Sequence, residues 1–336
     1  MPKTTIVSPS NIAFIKYWGA TDLASAVPEN ASLSMTLRAC HSRSTVEHVD
    51  RSGEHEIRWR GTDGGLETAP PAFAQRVREH LDRLLDWAGE SGFFRVATEN
   101  SFPAAAGLAS SASGFSALTL AVLGALGRAE SHAMQSELAR RSGSGSASRS
   151  VLGGYVQWPA KALAPDGAKD YAFQVHPAEH WDLRNVVVIV ETGAKETSSL
   201  EGHRRARTSP YFERRLRDLP GRLEAVRDAL ACRDFDRMGA IVEAEAVDLH
   251  CVAMTSAPPI YYWKPATLTV LEAVRGLRSA GVSAWATMDA GANVHVLCQP
   301  DDEDAVAATL GGLPGVDRLI RDGVGSGPFA DDAHLF

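Results

Sequence analysis

Asn100-Ser-Phe-Pro-Ala-Ala-Ala-Gly-Leu-Ala-Ser-Ser-Ala-Ser-Gly114 runs directly into Phe115-Ser-Ala-Leu-Thr-Leu-Ala-Val-Leu-Gly-Ala-Leu126. Pro103 and Gly107 are turn residues, and Ser110 to Ser113 offer helix caps. Phe115, Leu118, Val122 and Leu126 then share one helical face. The pattern is a loop feeding a helix N-terminus, where free backbone N–H groups and the positive end of the helix dipole converge on any bound anion. Residues no larger than Ala or Ser let phosphate oxygens approach the backbone, and a serine hydroxyl can reach a phosphate-bound Mg²⁺. A helix start kept small only for tight packing explains the composition equally well. Neither GxxxxGK[ST] nor GxGxxG occurs, so the common nucleotide-binding folds are not supported.

On either side of this segment the pattern is mixed. Residues 43–49 and 55–60 alternate like the strands of a hairpin, with Gly53 as turn, and 72–88 carries Phe73, Val77, Leu81, Leu84 and Leu85 at helical spacing. Phe94-Arg-Val-Ala-Thr98 reads as a strand and Pro159 to Gly167 as surface loop. Asn185-Val-Val-Val-Ile-Val-Glu191 reads as a buried strand. Helix is expected through 211–254, broken at Pro220-Gly221, and again over 266–279 and 303–310. Strands at 283–288 and 294–298 flank Asp289-Ala-Gly-Ala-Asn293. The order predicts an α+β chain of two domains, residues 1–183 and 184–336.

The 336 residues are 44% hydrophobic and 22% charged, which excludes a disordered chain, and no apolar run is long enough to span a bilayer. A net charge of −7 argues against general binding to nucleic acid or to a membrane surface. Cys40, Cys232, Cys251 and Cys298 are scattered, without disulfide-framework or zinc spacing, and the N-terminus lacks a signal-peptide stretch; a cytoplasmic protein is expected.

Residues 103–113 resemble the phosphate-binding loop of the GHMP kinase superfamily. Ser10-Asn-Ile-Ala-Phe-Ile-Lys-Tyr-Trp-Gly19, Gly143-Ser-Gly-Ser-Ala-Ser-Arg-Ser150 and Thr287-Met-Asp-Ala-Gly-Ala-Asn293 are similar to signatures of the mevalonate diphosphate decarboxylase family, in the expected order from about residue 4 to about 298. The resemblance implies a GHMP kinase-like fold, with a ribosomal protein S5 domain 2-like N-terminal domain and a ferredoxin-like C-terminal domain. It also implies ATP with Mg²⁺, a phosphorylated mevalonate as substrate, and a homodimer.

By the same resemblance, Asp289 orients or deprotonates the 3-hydroxyl, Lys16 follows the transferred phosphoryl group and Arg149 clamps the substrate carboxylate. Ala13, Tyr17, Ser144, Gly145 and Ser146 line the substrate. Ala105, Ala106, Gly107, Leu108, Ala109, Ser110, Ser111 and Ser113 hold the nucleotide, with Ser111 toward the metal. Relatives that stop at phosphorylation of mevalonate do not retain Asp289, Lys16 and Arg149 together, so retention favours decarboxylation. A kinase without CO₂ loss and a non-catalytic nucleotide binder remain the alternatives.

Two departures bear on the substrate. Gly19 is followed by Ala20-Thr21-Asp22 where the diphosphate enzymes usually carry Lys or Arg, and Leu200 stands where bacterial relatives can carry arginine. Both losses point toward mevalonate 5-phosphate. Arg204, Arg205 and Arg207 could replace the charge, or form a solvated basic face. The 5-diphosphate and 5-phosphate stay open alternatives at this point. His250 reads as a core histidine.

Overall fold

The computed structural model describes residues 3–60, 64–102, 110–159, 171–193 and 196–336. The first part of the chain supplies β1 (Thr4–Ile15), β2 (Ala20–Asp22), β3 (Val27–Pro28), β4 (Ser32–Val49), β5 (Glu56–Arg60) and β6 (Leu66–Thr68). It continues with α1 (Pro71–Ala88), β7 (Phe93–Asn100), α2 (Ser110–Ala125), α3 (His132–Arg140), β8 (Tyr155–Trp158) and β9 (Phe173–His176). The second part supplies β10 (Arg184–Ile189), α4 (Ser199–Arg205), α5 (Phe212–Cys232), α6 (Phe235–Met254) and α7 (Pro265–Ser279). After these come β11 (Ala284–Thr287), β12 (Val294–Cys298), α8 (Glu303–Gly311), β13 (Arg318–Gly323) and β14 (Phe329–Ala330).

The first sheet runs β14-β1-β4-β7-β5-β6, with β8 and β9 added on β4. The second runs β11-β12-β10-β13. Residues 43–49 and 55–60 are both strands, but they do not form the expected hairpin. β7 lies between them, antiparallel to β4 and parallel to β5. The physical cause is burial: Phe94 and Val96 of β7 belong in the core beneath α1, and a central position covers both faces. The last strand, β14, pairs with β1 of the first sheet.

Helix α2 lies flat on the first sheet because its contact face is small and polar. Ser116 Oγ is 2.8 Å from Ser8 Oγ, and Ser113 Oγ is 3.0 Å from Ser10 Oγ and 2.7 Å from Ser42 Oγ. The expected break at Pro220-Gly221 does not occur; α5 passes through Pro220 and is capped by Arg233, whose φ of 58° is left-handed. Phe212, Leu219, Leu223 and Val226 keep the helical stripe buried on both sides of the proline, and that packing outweighs the roughly 3 kcal/mol an interior proline costs. A shared apolar core joins the two sheets: Phe14, Leu33 and Met35 meet Val187, Ile189 and Leu297, with Val226 and Leu230 of α5. Among the described residues no helix is long and apolar enough to cross a membrane.

Candidate active site

β1 is buried along almost all its length, and the chain leaving it carries Lys16, Tyr17 and Trp18 into the junction between the two sheets. A cleft of about 660 Å³ opens there. Its lining includes Ala13, Lys16, Tyr17, Ser144, Ser146 and Arg149. Gly145, Ser110, Ser111, His203, Leu200 and Asp289 complete most of the remaining wall.

Asp289 sits in the turn between β11 and β12. Asn293 pins that turn, its Oδ1 accepting from Val190 N at 2.7 Å and Glu191 N at 3.0 Å, while Thr267 Oγ1 donates to Ala292 O at 2.7 Å. Lys16 Nζ lies 2.9 Å from Asp289 Oδ1, with the lysine side chain 1% exposed and the aspartate 28%. Burial pulls the Lys16 ammonium below the usual lysine range, although Asp289 opposes the shift. Burial alone would raise the Asp289 carboxyl; the Lys16 charge, helped by Arg149, more than reverses this and leaves it below the ordinary carboxylate value. The pair therefore presents an ionised carboxylate, in direct contact with the Lys16 amine, to the cleft at neutral pH.

Arg149 follows a short turn, Gly145–Ser148, and is held from behind. Its Nε donates to Ser34 Oγ at 3.0 Å, Nη1 to Ser32 Oγ at 2.6 Å, and Nη2 to Asn11 Oδ1 at 3.0 Å. Burial lowers its pKa to about 10, so it keeps its charge. Its remaining N–H groups are available to an anion in the cleft. Tyr17 crosses above Gly145, where a Cβ would come within 2.6 Å of the tyrosine ring and 2.7 Å of Trp158. Burial pushes the Tyr17 phenol up, so it acts as a neutral donor.

Ser144 Oγ donates to Ser111 Oγ at 3.2 Å and lies 3.4 Å from Ser146 Oγ, which ties the start of α2 to the turn before Arg149. Ser110 and Ser111 face both this cleft and a second cavity of about 360 Å³ walled by Trp59, Phe73 and Phe115. Ser113 is a correction: it is fully buried and its hydroxyl is spent on Ser10 and Ser42, so it packs α2 on the sheet instead of meeting a nucleotide. Ala105, Ala106, Gly107, Leu108 and Ala109 lie outside the described residues.

Arg204 and Arg205 pair with Glu201 at 2.5 and 2.7 Å, and Arg207 pairs with Glu29 at 2.5 Å. None of the three lines the cleft. Ala20 pairs with Pro28 in the β2–β3 ribbon and is likewise outside the lining. His250 is buried beside Trp263 and Tyr262.

Several residues with a role here were not found from sequence. Asn11 orients Arg149. Glu245 of α6, wholly buried, accepts from the Lys16 backbone N–H at 3.2 Å and pairs with Arg215 and Arg222. Arg215 Nη2 donates to the Lys16 carbonyl at 2.9 Å, and Asn30 Nδ2 donates to it at 2.8 Å. Lys16 is thus gripped at both backbone groups by residues of the neighbouring helices and loop. His203 of α4 also lines the cleft.

A family model described as the diphosphomevalonate decarboxylase-like N-terminal domain matches residues 8–169, and one for the mevalonate 5-diphosphate decarboxylase C-terminal domain matches 185–317. The diphosphomevalonate decarboxylase of Candida albicans is 32% identical over 357 residues, covering 98% of each chain. The chain belongs to the diphosphomevalonate decarboxylase family. The Ganoderma lucidum decarboxylase is 37% identical, covering 88% of this chain and 78% of that one. Among solved structures, the mevalonate diphosphate decarboxylase from Staphylococcus aureus superposes with a TM-score of 0.90 at 28% identity, covering 98% of each chain. A structure described as MDDEF in complex with MVAPP, AMPPCP and magnesium gives 0.88 at 33% identity, covering 98% of this chain and 99% of that one. The two-domain α+β fold is therefore that of the decarboxylase family.

Proposed function

We propose that the protein is an ATP-dependent carboxy-lyase that converts mevalonate 5-diphosphate to isopentenyl diphosphate. The convergence of Lys16, Asp289 and Arg149 on one cleft carries this reading. Asp289 accepts a hydrogen bond from the 3-hydroxyl, and its proton as the oxygen attacks the γ-phosphorus of ATP. Lys16, as the ammonium paired with Asp289, balances the charge that collects on the transferring phosphoryl group. ADP leaves. The 3-phosphate ester then fragments: its C–O bond breaks to release phosphate, and the electrons of the carboxylate C–C bond form the alkene as CO₂ departs. Arg149 holds that carboxylate in a fixed direction throughout, so the bond that breaks stays aligned with the leaving phosphate.

The nucleotide fits the α2 wall. Ser110 and Ser111 stand at the helix start, and the neighbouring aromatic cavity suits a flat base. The hydroxyls of Ser110, Ser111 and Ser144 are hard oxygen donors suited to Mg²⁺ carried on phosphates. Among the described residues no group of three His, Cys, Asp or Glu could hold the ion alone. Bound with ATP, Mg²⁺ would neutralise phosphate charge. The related complex with MVAPP, AMPPCP and magnesium supports this assignment.

A second reading, mevalonate 5-phosphate to isopentenyl phosphate, is favoured by the wall around α4. Leu23, Leu200, Trp18 and His203 line it, while the nearby arginines are committed to Glu201 and Glu29. Incubation with ATP, Mg²⁺ and each mevalonate species, with ADP and CO₂ both measured, tests the two readings. CO₂ from either phosphorylated mevalonate supports a decarboxylase and names its substrate. ADP without CO₂ indicates a kinase, and neither product indicates a binder.

A further inference from the structure

His203 is the first residue of α4's last turn to reach the cleft, and its setting is built. Gly202 beside it has no room for a side chain: a Cβ there would come within 2.3 Å of the Trp18 ring and 2.7 Å of Tyr262 Oη. This close approach lays the imidazole against the Tyr17 ring, with centroids 4.2 Å apart, and against Trp18, at 4.7 Å. The Gly19 backbone N–H donates to His203 Nδ1 at 3.0 Å. An Nδ1 that accepts carries no proton, so the neutral ring bears its hydrogen on Nε2. Protonating Nδ1 would set two donors face to face. Nε2 has no hydrogen-bond partner among the described residues and belongs to a residue lining the cleft.

We propose that His203 is a specificity-determining residue whose Nε2–H donates to a phosphoryl oxygen on the 5-position arm of the substrate. This deepens the functional reading above and rests on it. With the reacting hydroxyl at Asp289, the carboxylate at Arg149 and the nucleotide at Ser110 and Ser111, the wall of α4 and Trp18 is left for the remaining arm. A phosphoryl oxygen there needs a donor. Leu200 and Leu23 offer none, Ser198 Oγ already caps α4 by accepting from Glu201 N, and Ser199 is the other hydroxyl on this wall. No Lys or Arg joins them among the described lining residues other than Lys16, Arg76 and Arg149. A neutral ring, held rigid by two aromatic faces and a backbone hydrogen bond, supplies direction without charge.

The two ring nitrogens can be tested separately. His203→Asn keeps an acceptor near the Nδ1 position for Gly19 N–H but loses the Nε2 donor; His203→Gln keeps a donor near Nε2 but loses the Gly19 contact. Steady-state kinetics of the full chain with ATP and each phosphorylated mevalonate should show the KM for the mevalonate rising about ten-fold in the Asn variant, the loss expected for one hydrogen bond to a charged group. Its kcat and its KM for ATP should stay close to wild type, and the Gln variant should recover most of the loss. An unchanged KM in His203→Asn, or a larger defect in His203→Gln, overturns the assignment and leaves the ring as a dock for α4. Absence of wild-type turnover with both mevalonates overturns the functional reading instead. Should either variant fold poorly, the His203 Nε2 ¹⁵N shift of labelled wild type is followed as mevalonate 5-phosphate and 5-diphosphate are added. Movement with either supports the contact, and no movement with both rejects it.

Discussion

Lys16 and Asp289, 273 residues apart in sequence, meet at 2.9 Å across the junction of the two sheets. Each is the other's main electrostatic partner, and neither would keep its charge so deeply placed alone. Asp289→Asn should preserve the shape of the turn while removing the base. We expect kcat to fall by at least about 10²-fold with little change in nucleotide affinity, as for loss of a positioned acid–base group. Rapid-quench measurement of ADP and CO₂ checks this; intact turnover would make Asp289 a turn residue only.

Arg149→Lys tests the clamp. Arginine satisfies Ser32, Ser34 and Asn11 while still presenting N–H groups to the cleft, and an ammonium cannot do both. The expected result is a loss of about 10²-fold in kcat/KM for the phosphorylated mevalonate, with the KM for ATP nearly constant. A lysine variant of normal efficiency would show that the substrate carboxylate binds elsewhere.

What sequence reasoning could reach divides along physical lines. Strands β10, β11 and β12 and helices α1 and α7 carry clean periodicity, and the turn at Asp289 lies where the two apolar runs leave it. Pairing partners are less visible: nothing in 43–60 announces that β7 will insert between β4 and β5, because that choice is made by core packing from outside the segment. The Ser-rich stretch mixes two purposes. Ser110 and Ser111 face cavities, whereas Ser113 and Ser116 face the sheet, and composition does not separate them. Glu245 and Arg215 did leave a signal. Glu245 stands on the buried stripe Met238, Val242, Leu249 and Val252, and Arg215 on the stripe Phe212, Leu219, Leu223 and Val226. Opposite charges on two adjacent buried stripes require each other, and this is a pattern that sequence alone can reveal.

Glu245→Gln should be costly for that reason. Arg215 and Arg222 would face a neutral amide, and the Lys16 backbone N–H would lose a charged acceptor. We expect a loss of about 3 kcal/mol or more in urea unfolding, the usual result of removing one partner from a buried ion pair. A change within about 0.5 kcal/mol, typical of surface substitutions, would mean the network is not needed for folding.

Leu200→Arg addresses the substrate. Leu200 lines the cleft and is 46% exposed, so a longer cationic side chain has room there, whereas Ala20 does not line the cleft. We expect kcat/KM for the 5-diphosphate to rise about ten-fold relative to the 5-phosphate, in keeping with one added charge-assisted hydrogen bond. An unchanged ratio would remove the α4 wall from the substrate question.

Stability should fall on the acid side of neutrality before the carboxylates titrate. Burial lowers His80 and His203 to about 3 and His295 to about 4, the last despite the opposing pull of Asp289. In the unfolded chain all three titrate near 6.5, so between that value and their folded values the unfolded state binds more protons. Stability therefore rises with pH through this window: it is fully present above about 6.5 and declines as pH falls, by about 1.4 kcal/mol per histidine for each pH unit below it. Asp289, held below the ordinary carboxylate value, adds its own loss only below about 3.8, where the unfolded carboxyl begins to take a proton ahead of the folded one. Urea midpoints at pH 7 and pH 5 should thus differ clearly, while His80→Gln, whose amide reaches the Nε2 position and keeps a polar partner for Thr119 Oγ1, should flatten part of the slope. Equal midpoints would mean that these imidazoles take up protons in the folded chain without cost, and that their burial does not hold them neutral.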